Sequence, residues 1–142
     1  MKFTKRQIER YSRQIILKKI GVIGQKKLLK SSVLIVGAGG LGSPIAIYLT
    51  ALGVGKIGII DKDNIEISNL SRQIIFSTND LKKNKSSIAI NKLRKINPDI
   101  QFKSFNKKLT KKNINQIAKN FDLIVDGSDN FRTRFLINDY CL

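Results

Sequence analysis

The sequence predicts an α/β protein with a Rossmann-like, mainly parallel sheet and flanking helices. Two observations carry this prediction. Short apolar runs that suit buried strands alternate with segments of helical periodicity, and a glycine-rich segment, residues 37–42, joins the first such run to a helix. With 142 residues, 42% of them hydrophobic, the chain is long enough for one domain with its own core.

The individual elements follow from the spacing of apolar residues along the chain. Residues 5–18 have helical spacing, and a short helix is predicted at 25–30 after Gly21 and Gly24 interrupt the pattern. The predicted strands are 32–36, 56–60, 100–105 and 122–126, and the predicted helices that follow them are 43–52, 85–96, 110–120 and 130–141. Thr110 suits the N-cap of its helix. Because each strand is followed by a helix, we expect parallel strands joined by right-handed crossovers.

Composition excludes several classes of protein. Histidine is absent and Cys141 is the single cysteine, so His-dependent triads, His metal sites, internal disulfides and cysteine metal clusters are excluded. No apolar run approaches the ~20 residues of a membrane span, and the N-terminus lacks the apolar core of a signal peptide. We therefore expect no membrane partner. Heavy use of lysine, isoleucine and asparagine is typical of an AT-rich genome, such as that of an organelle or an AT-rich bacterium. We expect a cytoplasmic protein, or one of the plastid stroma if the gene is organellar.

The net charge of +17 invites comparison with nucleic-acid-binding proteins. The excess is mostly lysine, and no aromatic-rich surface accompanies it. We interpret the lysine pairs as solvated helix or loop faces and expect no nucleic-acid partner, although the charge would steer an acidic protein partner. These pairs are Lys26-Lys27, Lys82-Lys83, Lys107-Lys108 and Lys111-Lys112.

The glycine segment and one aspartate predict a nucleotide site. Gly37-Ala38-Gly39-Gly40-Leu41-Gly42 has the G-x-G-x-x-G spacing between a strand and a helix, where glycines let backbone N–H groups approach phosphate near a helix N-terminus. Asp61 ends the second predicted strand, where a carboxylate accepts hydrogen bonds from ribose hydroxyls. These two features fit NAD, FAD and ATP equally.

Additional charged residues favour a triphosphate. Arg72 and Lys85 supply cations that a dinucleotide does not need, because its pyrophosphate is bound mainly by backbone amides. Asp129, after the fourth strand, suits Mg²⁺ held against phosphates, or alternatively the N-cap of the next helix. Asp126 is expected to end the strand and to be held by turn hydrogen bonds.

Together these segments resemble, in sequence order, the MoeB/ThiF group of adenylyltransferases of molybdopterin and thiamine biosynthesis, relatives of the ubiquitin-activating enzymes. The resemblance begins near residue 8 and continues to the end of the sequence. It rests on Arg10-Tyr11-Ser12-Arg13-Gln14, the glycine segment, Asp61 with Asp63, Ser68-Asn69-Leu70-Ser71-Arg72-Gln73, Lys85, Asn97-Pro98 and Ser128-Asp129-Asn130-Phe131-Arg132-Thr133-Arg134.

The resemblance implies ATP-dependent adenylation of the C-terminal glycine carboxylate of a ubiquitin-like sulfur-carrier protein. It implies a homodimer in which Arg13 reaches into the partner subunit's ATP site. The implied catalytic residues are Arg13, Arg72, Lys85 and Asp129, with Asp129 as the Mg²⁺ ligand. The implied nucleotide-binding residues are Gly37, Gly39, Gly40, Gly42, Asp61, Asp63, Ser68, Asn69, Leu70, Ser71, Arg72, Gln73, Lys85, Asp129 and Asn130.

The sequence also departs from the family. Members are usually much longer, and their C-terminal half supplies two Cys-x-x-Cys pairs for structural zinc, which are absent here. We therefore predict a single ATP-binding adenylation domain over residues 1–142, truncated relative to the family, with N-terminal helices at 5–30 and an α/β core at 31–142. The alternatives are a truncated, non-catalytic nucleotide-binding or dimerisation module and an NAD- or FAD-binding domain.

Overall fold

Four strands form the centre of the fold in the computed structural model, which describes residues 2–142. The strands are β1 (Ser32–Val36), β2 (Lys56–Ile60), β3 (Gln101–Phe105) and β4 (Leu123–Asp126). The helices are α1 (Lys5–Arg10), α2 (Ser12–Ile15), α3 (Gly21–Lys30), α4 (Gly42–Leu52), α5 (Lys85–Ile96), α6 (Ile114–Ala118) and α7 (Phe131–Cys141). None of these helices within residues 2–142 is long and apolar enough to span a membrane.

The sheet is parallel throughout, which confirms the predicted fold class. Its strand order is β3-β2-β1-β4, and β1 pairs with β2 on one side and with β4 on the other. Alternate residues of β1 face two separate cores: Val33 and Ile35 face the cluster that includes residues of α4 and α5, whereas Leu34 and Val36 face the cluster that includes residues of α6 and α7. Because both faces are covered, β1 is apolar at every position after Ser32.

The long connection between β2 and α5 is packed against the first core. Ile65, Ile75 and Phe76 are buried in it. Asp80 ties this connection to α5, since its carboxylate accepts hydrogen bonds from Ser77 and from the Lys92 ammonium. Burial by itself raises the pKa of Asp80, but these hydrogen bonds outweigh it and leave the pKa below its usual value. The connection is therefore a fixed wall of the fold.

The helix predicted over residues 5–18 is wrong as a single element. It breaks at Tyr11, which separates α1 from α2 and has φ −101° and ψ 12°. The Tyr11 side chain is fully buried, and its hydroxyl accepts a 2.9 Å hydrogen bond from Asn97, which also donates to the Thr50 carbonyl. Gly53, with φ 83°, leaves room for the tyrosine ring, because a Cβ there would lie 2.5 Å from it. Burial of one tyrosine thus overrides the local helical pattern.

Two other predicted boundaries are wrong for identifiable reasons. Gly21 and Gly24 do not interrupt a helix, since α3 begins at Gly21 and continues through Gly24. The helix predicted over 110–120 shortens to α6, and Asn113 rather than Thr110 is its N-cap residue. The Asn113 side chain instead accepts a 2.8 Å hydrogen bond from the Thr110 N–H, which holds residues 110–113 in a turn before the helix.

Candidate nucleotide site

A cleft of about 610 Å³ lies at the carboxyl ends of the strands. Its walls come from the glycine segment after β1, the connection after β2, the start of α5, the loop after β3 and the segment after β4. Ligands of parallel α/β sheets bind at this edge, where the strand order reverses. In the present order that reversal falls between β1 and β4.

The glycines of the segment after β1 fall into two groups. Gly37 has φ 92°, and a Cβ on Gly42 would lie 1.8 Å from the Gly37 carbonyl oxygen, so both are needed for the loop to pack on itself. Gly39 and Gly40 line the cleft, and the nearest groups to a Cβ on them are the side chains of Gln73 and Arg72, at 3.8 and 3.5 Å. The first group shapes the loop and the second leaves it open to a ligand.

Asp61 connects the end of β2 to the glycine segment. Its Oδ2 accepts a hydrogen bond from the Ala38 N–H and its Oδ1 accepts one from the Asp63 N–H, each at 2.8 Å. A carboxylate has about four acceptor positions, so Asp61 keeps capacity for a ligand hydroxyl while it holds the loop.

Lys85 is a buried cation in the wall of the cleft. It begins α5 and is only 7% exposed, yet its Nζ lies 4.0 Å from the nearest carboxylate oxygen, that of Asp63. The Asp63 side chain is itself 56% exposed. Most of the side chain is buried, but the ammonium reaches the cleft, and this distant, solvated carboxylate is its nearest anionic partner within residues 2–142. The position suits an anionic ligand.

Gln73 presents an unpaired polar atom at the same wall. The residue is 4% exposed, and its Oε1 is buried without a hydrogen-bond partner among residues 2–142. Beside it, the Arg72 side chain lies along Gly40 and donates a 3.2 Å hydrogen bond to the Ser68 carbonyl. Both side chains line the cleft.

Residues 68–71 lie outside the lining of the cleft. Their backbone instead positions the two residues that follow: the Asn69 carbonyl accepts hydrogen bonds from the N–H groups of Arg72 and Gln73, at 3.2 and 2.9 Å. The Asn69 side chain accepts one from the Glu66 N–H. Direct ligand contacts of Ser68, Asn69, Leu70 and Ser71 stay predictions.

The segment after β4 leaves one carboxylate unengaged. Asn130, not Asp129, is the N-cap of α7, since its side chain accepts a 2.9 Å hydrogen bond from the Thr133 N–H. Asp126 accepts hydrogen bonds from the backbone and hydroxyl of Ser128, as predicted. Asp129 lines the cleft and makes no hydrogen bond or ion pair within the described part of the chain. The alternative N-cap role for Asp129 is therefore wrong.

Arg13 lies apart from this cluster. It is an exposed residue of α2 and does not line the cleft of its own chain. Its implied role in a partner subunit's site stays a prediction.

Four cations at the cleft were not among the predicted site residues. Lys62, Lys107, Lys108 and Arg134 all line it. The interpretation of Lys107-Lys108 as a purely solvated pair is incomplete, because the loop after β3 returns to the carboxyl edge of the sheet. Their place directly after a predicted parallel strand could have revealed this. Within residues 2–142, no group of three or more His, Cys, Asp or Glu residues is arranged to hold a metal by itself.

Two relatives with known names are similar to this chain along nearly its whole length. A sulfur carrier protein adenylyltransferase of Thermus thermophilus is 44% identical over 139 residues, which are 98% of this chain and 51% of that protein. A probable molybdopterin-synthase adenylyltransferase of Porphyra purpurea is 50% identical over 133 residues, 94% of this chain and 35% of that protein. The chain thus spans about half or less of the length of these relatives.

Solved structures give the same result for the fold. The crystal structure of E. coli MccB with ATP has a TM-score of 0.82 at 31% identity, covering 93% of this chain and 40% of that one. The ATP complex of E. coli tRNA N6-threonylcarbamoyladenosine dehydratase has a TM-score of 0.85 at 23% identity, covering 92% and 53%. The ThiF family matches residues 11–142, which include every element of the cleft. On this sequence match and this fold, the chain belongs to the ThiF family.

Proposed function

We propose that this chain binds ATP with Mg²⁺ and adenylates the C-terminal glycine carboxylate of a ubiquitin-like sulfur-carrier protein. Residues 1–142 act as one adenylation domain, with N-terminal helices at 5–30 and an α/β core at 31–142. Support comes from the cleft and from the adenylyltransferase names of the two relatives. The names of these relatives do not decide whether the carrier of this chain is of the molybdopterin or the thiamine type.

The observation that carries the proposal is that Lys85, which has no anion closer than 4.0 Å in the part of the chain that the structure describes, lines the same cleft as an open glycine segment. A polyphosphate offers acceptor oxygens to the Lys85 ammonium, to the backbone N–H groups of the glycine segment, and to the Gln73 Nε2, which is the side-chain atom nearest to a Cβ on Gly39. With Arg72, Lys107 and other cations at the rim, the cleft carries more positive charge than a dinucleotide needs.

The nucleotide would extend along the strand ends. Gly39 and Gly40 would admit the phosphates, and Asp61 would accept hydrogen bonds from the ribose hydroxyls at the end of the neighbouring strand β2. Arg72 and Lys85 would neutralise phosphate charge. Asn69 would contribute chiefly through the turn that presents Arg72 and Gln73.

Asp129 would hold Mg²⁺, with Asn130 beside it. Magnesium in nucleotide sites is bound by one or two carboxylates together with phosphates and waters, so a single unengaged carboxylate at the cleft fits this ion. When bound, Mg²⁺ supplies charge neutralisation at the phosphate oxygens.

The reaction needs little covalent help from the protein. A carboxylate oxygen of the carrier attacks the α-phosphorus, the bond to the bridging oxygen breaks, and pyrophosphate leaves with the electron pair. The chain's residues would position the two substrates in line and stabilise charge. Arg13, exposed on α2, would add a cation to the site of a partner subunit in a homodimer.

ATP–pyrophosphate exchange tests this proposal. With Mg²⁺ and a sulfur-carrier protein, we expect exchange by the wild-type chain and its loss in Asp129→Asn. Glu9→Gln removes the same charge from an exposed position of α1 and is the control. Exchange that persists in Asp129→Asn would refute the magnesium assignment.

Calorimetric titration separates the alternatives. ATP binding without exchange would indicate a non-catalytic nucleotide-binding module. Binding of NAD without binding of ATP would indicate a dinucleotide-binding domain and would overturn the proposal.

A further inference from the structure

A second concavity adjoins the nucleotide cleft. It has a volume of about 640 Å³ and lies between the loop before α6 and one face of α7. Arg132, Phe135, Leu136 and Asp139 contribute from α7 at helical spacing, and Lys108 to Lys112 form the opposite wall. We call this concavity the α6–α7 groove. The proposed ATP site does not use it.

The groove is basic at its rim and apolar at its floor. Lys108, Lys111, Lys112 and Arg132 line it, and Asp139 is the single acidic residue among its described lining. Phe135 is 63% exposed. An apolar ring on the surface is stabilised when a partner covers it and removes it from water. Such a surface matches a ligand that combines negative charge with apolar side chains.

The groove and the nucleotide cleft share a wall. Lys108, Leu109 and Thr133 line both concavities, and Leu109 and Thr133 are buried. Anything bound in the groove therefore lies directly beside the cleft in which the nucleotide is proposed to bind. This continuity connects the groove to the polypeptide substrate of the proposed reaction.

We propose that the α6–α7 groove binds an acidic segment of the carrier protein through an apolar side chain placed on Phe135. This inference rests on the proposed function for the identity of the partner. The basic rim would attract the segment, and the shared wall would hold the carrier next to the nucleotide. The chain's charge of +17 favours the same class of partner by electrostatic steering.

A peptide fits these features better than a nucleic acid does. Non-specific nucleic-acid sites combine a basic track with aromatic platforms for successive bases. Here the ring that faces the groove is Phe135, and Leu109 and Leu136 complete a concave floor. That shape suits one apolar side chain flanked by carboxylates.

Fluorescence anisotropy with defined probes tests the inference. The first probe is a labelled 12-residue peptide of alternating glutamate and leucine. The second replaces glutamate with glutamine, and the third is a 12-nucleotide oligouridine. The protein variants are Lys111→Glu/Arg132→Glu in the groove and Lys27→Glu/Lys119→Glu as a control with the same charge change on other exposed surfaces.

We expect the acidic peptide to bind the wild-type chain in a salt-sensitive manner and the groove variant about tenfold more weakly. The control variant should lose clearly less. Phe135→Ala should weaken the glutamate–leucine peptide but leave an all-glutamate peptide unchanged. Equal losses in both double variants, or tighter binding of oligouridine than of the peptide, would overturn the inference.

A parallel measurement distinguishes this failure from failure of the proposed function. Lys111 and Arg132 do not line the nucleotide cleft, so the groove variant should keep wild-type ATP affinity while its KM for the carrier rises in the exchange assay. Peptide binding without ATP binding would refute the enzymatic proposal alone. An unchanged KM with ATP binding intact would refute the groove proposal alone.

Discussion

Replacement of Gly42 by alanine tests whether the glycine segment is required by the fold as well as by a ligand. A Cβ at residue 42 would lie 1.8 Å from the Gly37 carbonyl oxygen, whereas real Cβ contacts essentially never fall below 3.0 Å. The Gly37 backbone cannot easily retreat. Its N–H donates to the Ile60 carbonyl at 2.9 Å, and the Gly127 carbonyl packs so closely on it that a Cβ added to Gly37 would lie 2.9 Å from the Gly127 oxygen.

The magnitude follows from two opposing effects. Overpacking against a fixed neighbour costs about 3 kcal/mol or more, while alanine in place of glycine at a helical position recovers up to about 1 kcal/mol. We therefore expect Gly42→Ala to lower the free energy of unfolding by about 2–3 kcal/mol. For a chain of this length that corresponds to a drop in Tm of roughly 6–12 °C.

Thermal and urea unfolding followed by far-UV circular dichroism measure this change, since the chain has no tryptophan. Gly40→Ala is the matched control. A Cβ there meets only the Arg72 side chain at 3.5 Å, and Gly40 has no positive φ, so its Tm should stay near that of the wild type while ATP binding weakens. A wild-type unfolding midpoint for Gly42→Ala would refute the packing argument.

Three further predictions address the cleft and its supporting wall. Gln73→Leu should raise the free energy of unfolding by about 1 kcal/mol, because it removes a buried amide oxygen that has no partner among the described residues. It should weaken ATP binding in calorimetry, because it also removes the Nε2 donor. A fall in both stability and ATP binding would contradict the proposed ligand contact. Lys85→Met should weaken ATP binding roughly 10- to 100-fold, whereas Lys95→Met on the same helix should not. Asp80→Asn should lower the free energy of unfolding by about 1–2 kcal/mol at pH 7. Burial raises the pKa of Asp80, but the hydrogen bonds, chiefly that from Lys92, together have the larger opposite effect, so the folded-state pKa lies below its usual value. This stabilisation is therefore complete above the unfolded pKa of about 3.9 and is lost as the pH falls through the lower folded value. Urea midpoints of wild type and variant should converge below pH 4; a constant difference would refute this account.

Much of the candidate site was predictable because its residues follow strands. The glycine segment and Asp61 come directly after an apolar run, and Asp129 follows the last strand by three residues. Parallel strands place all such positions at one edge of a sheet. Lys107 and Lys108 obey the same rule but were missed, since a lysine pair in a chain of +17 charge does not stand out. The rule, applied without regard to residue type, would have included them.

The N-terminal helices were predicted less well, because there a distant contact outweighs local preference. The break at Tyr11 depends on Asn97, 86 residues away, and on the space left by Gly53. Helical periodicity reports which side of a segment is apolar. It does not indicate that a side chain such as Tyr11 is buried against a partner far away in the sequence.

By itself, the sequence determined the α/β class, the four strands and the residue types available at their carboxyl ends, because periodicity and chain order are local properties. Only the tertiary structure decided the strand order β3-β2-β1-β4. It likewise decided that two glycines of one segment have different roles, since Gly42 is needed for packing whereas Gly40 is open to a ligand. It also decided that Lys85 is buried without a close partner. The physical reason is that clash, burial and the absence of a partner depend on atoms far apart in the chain.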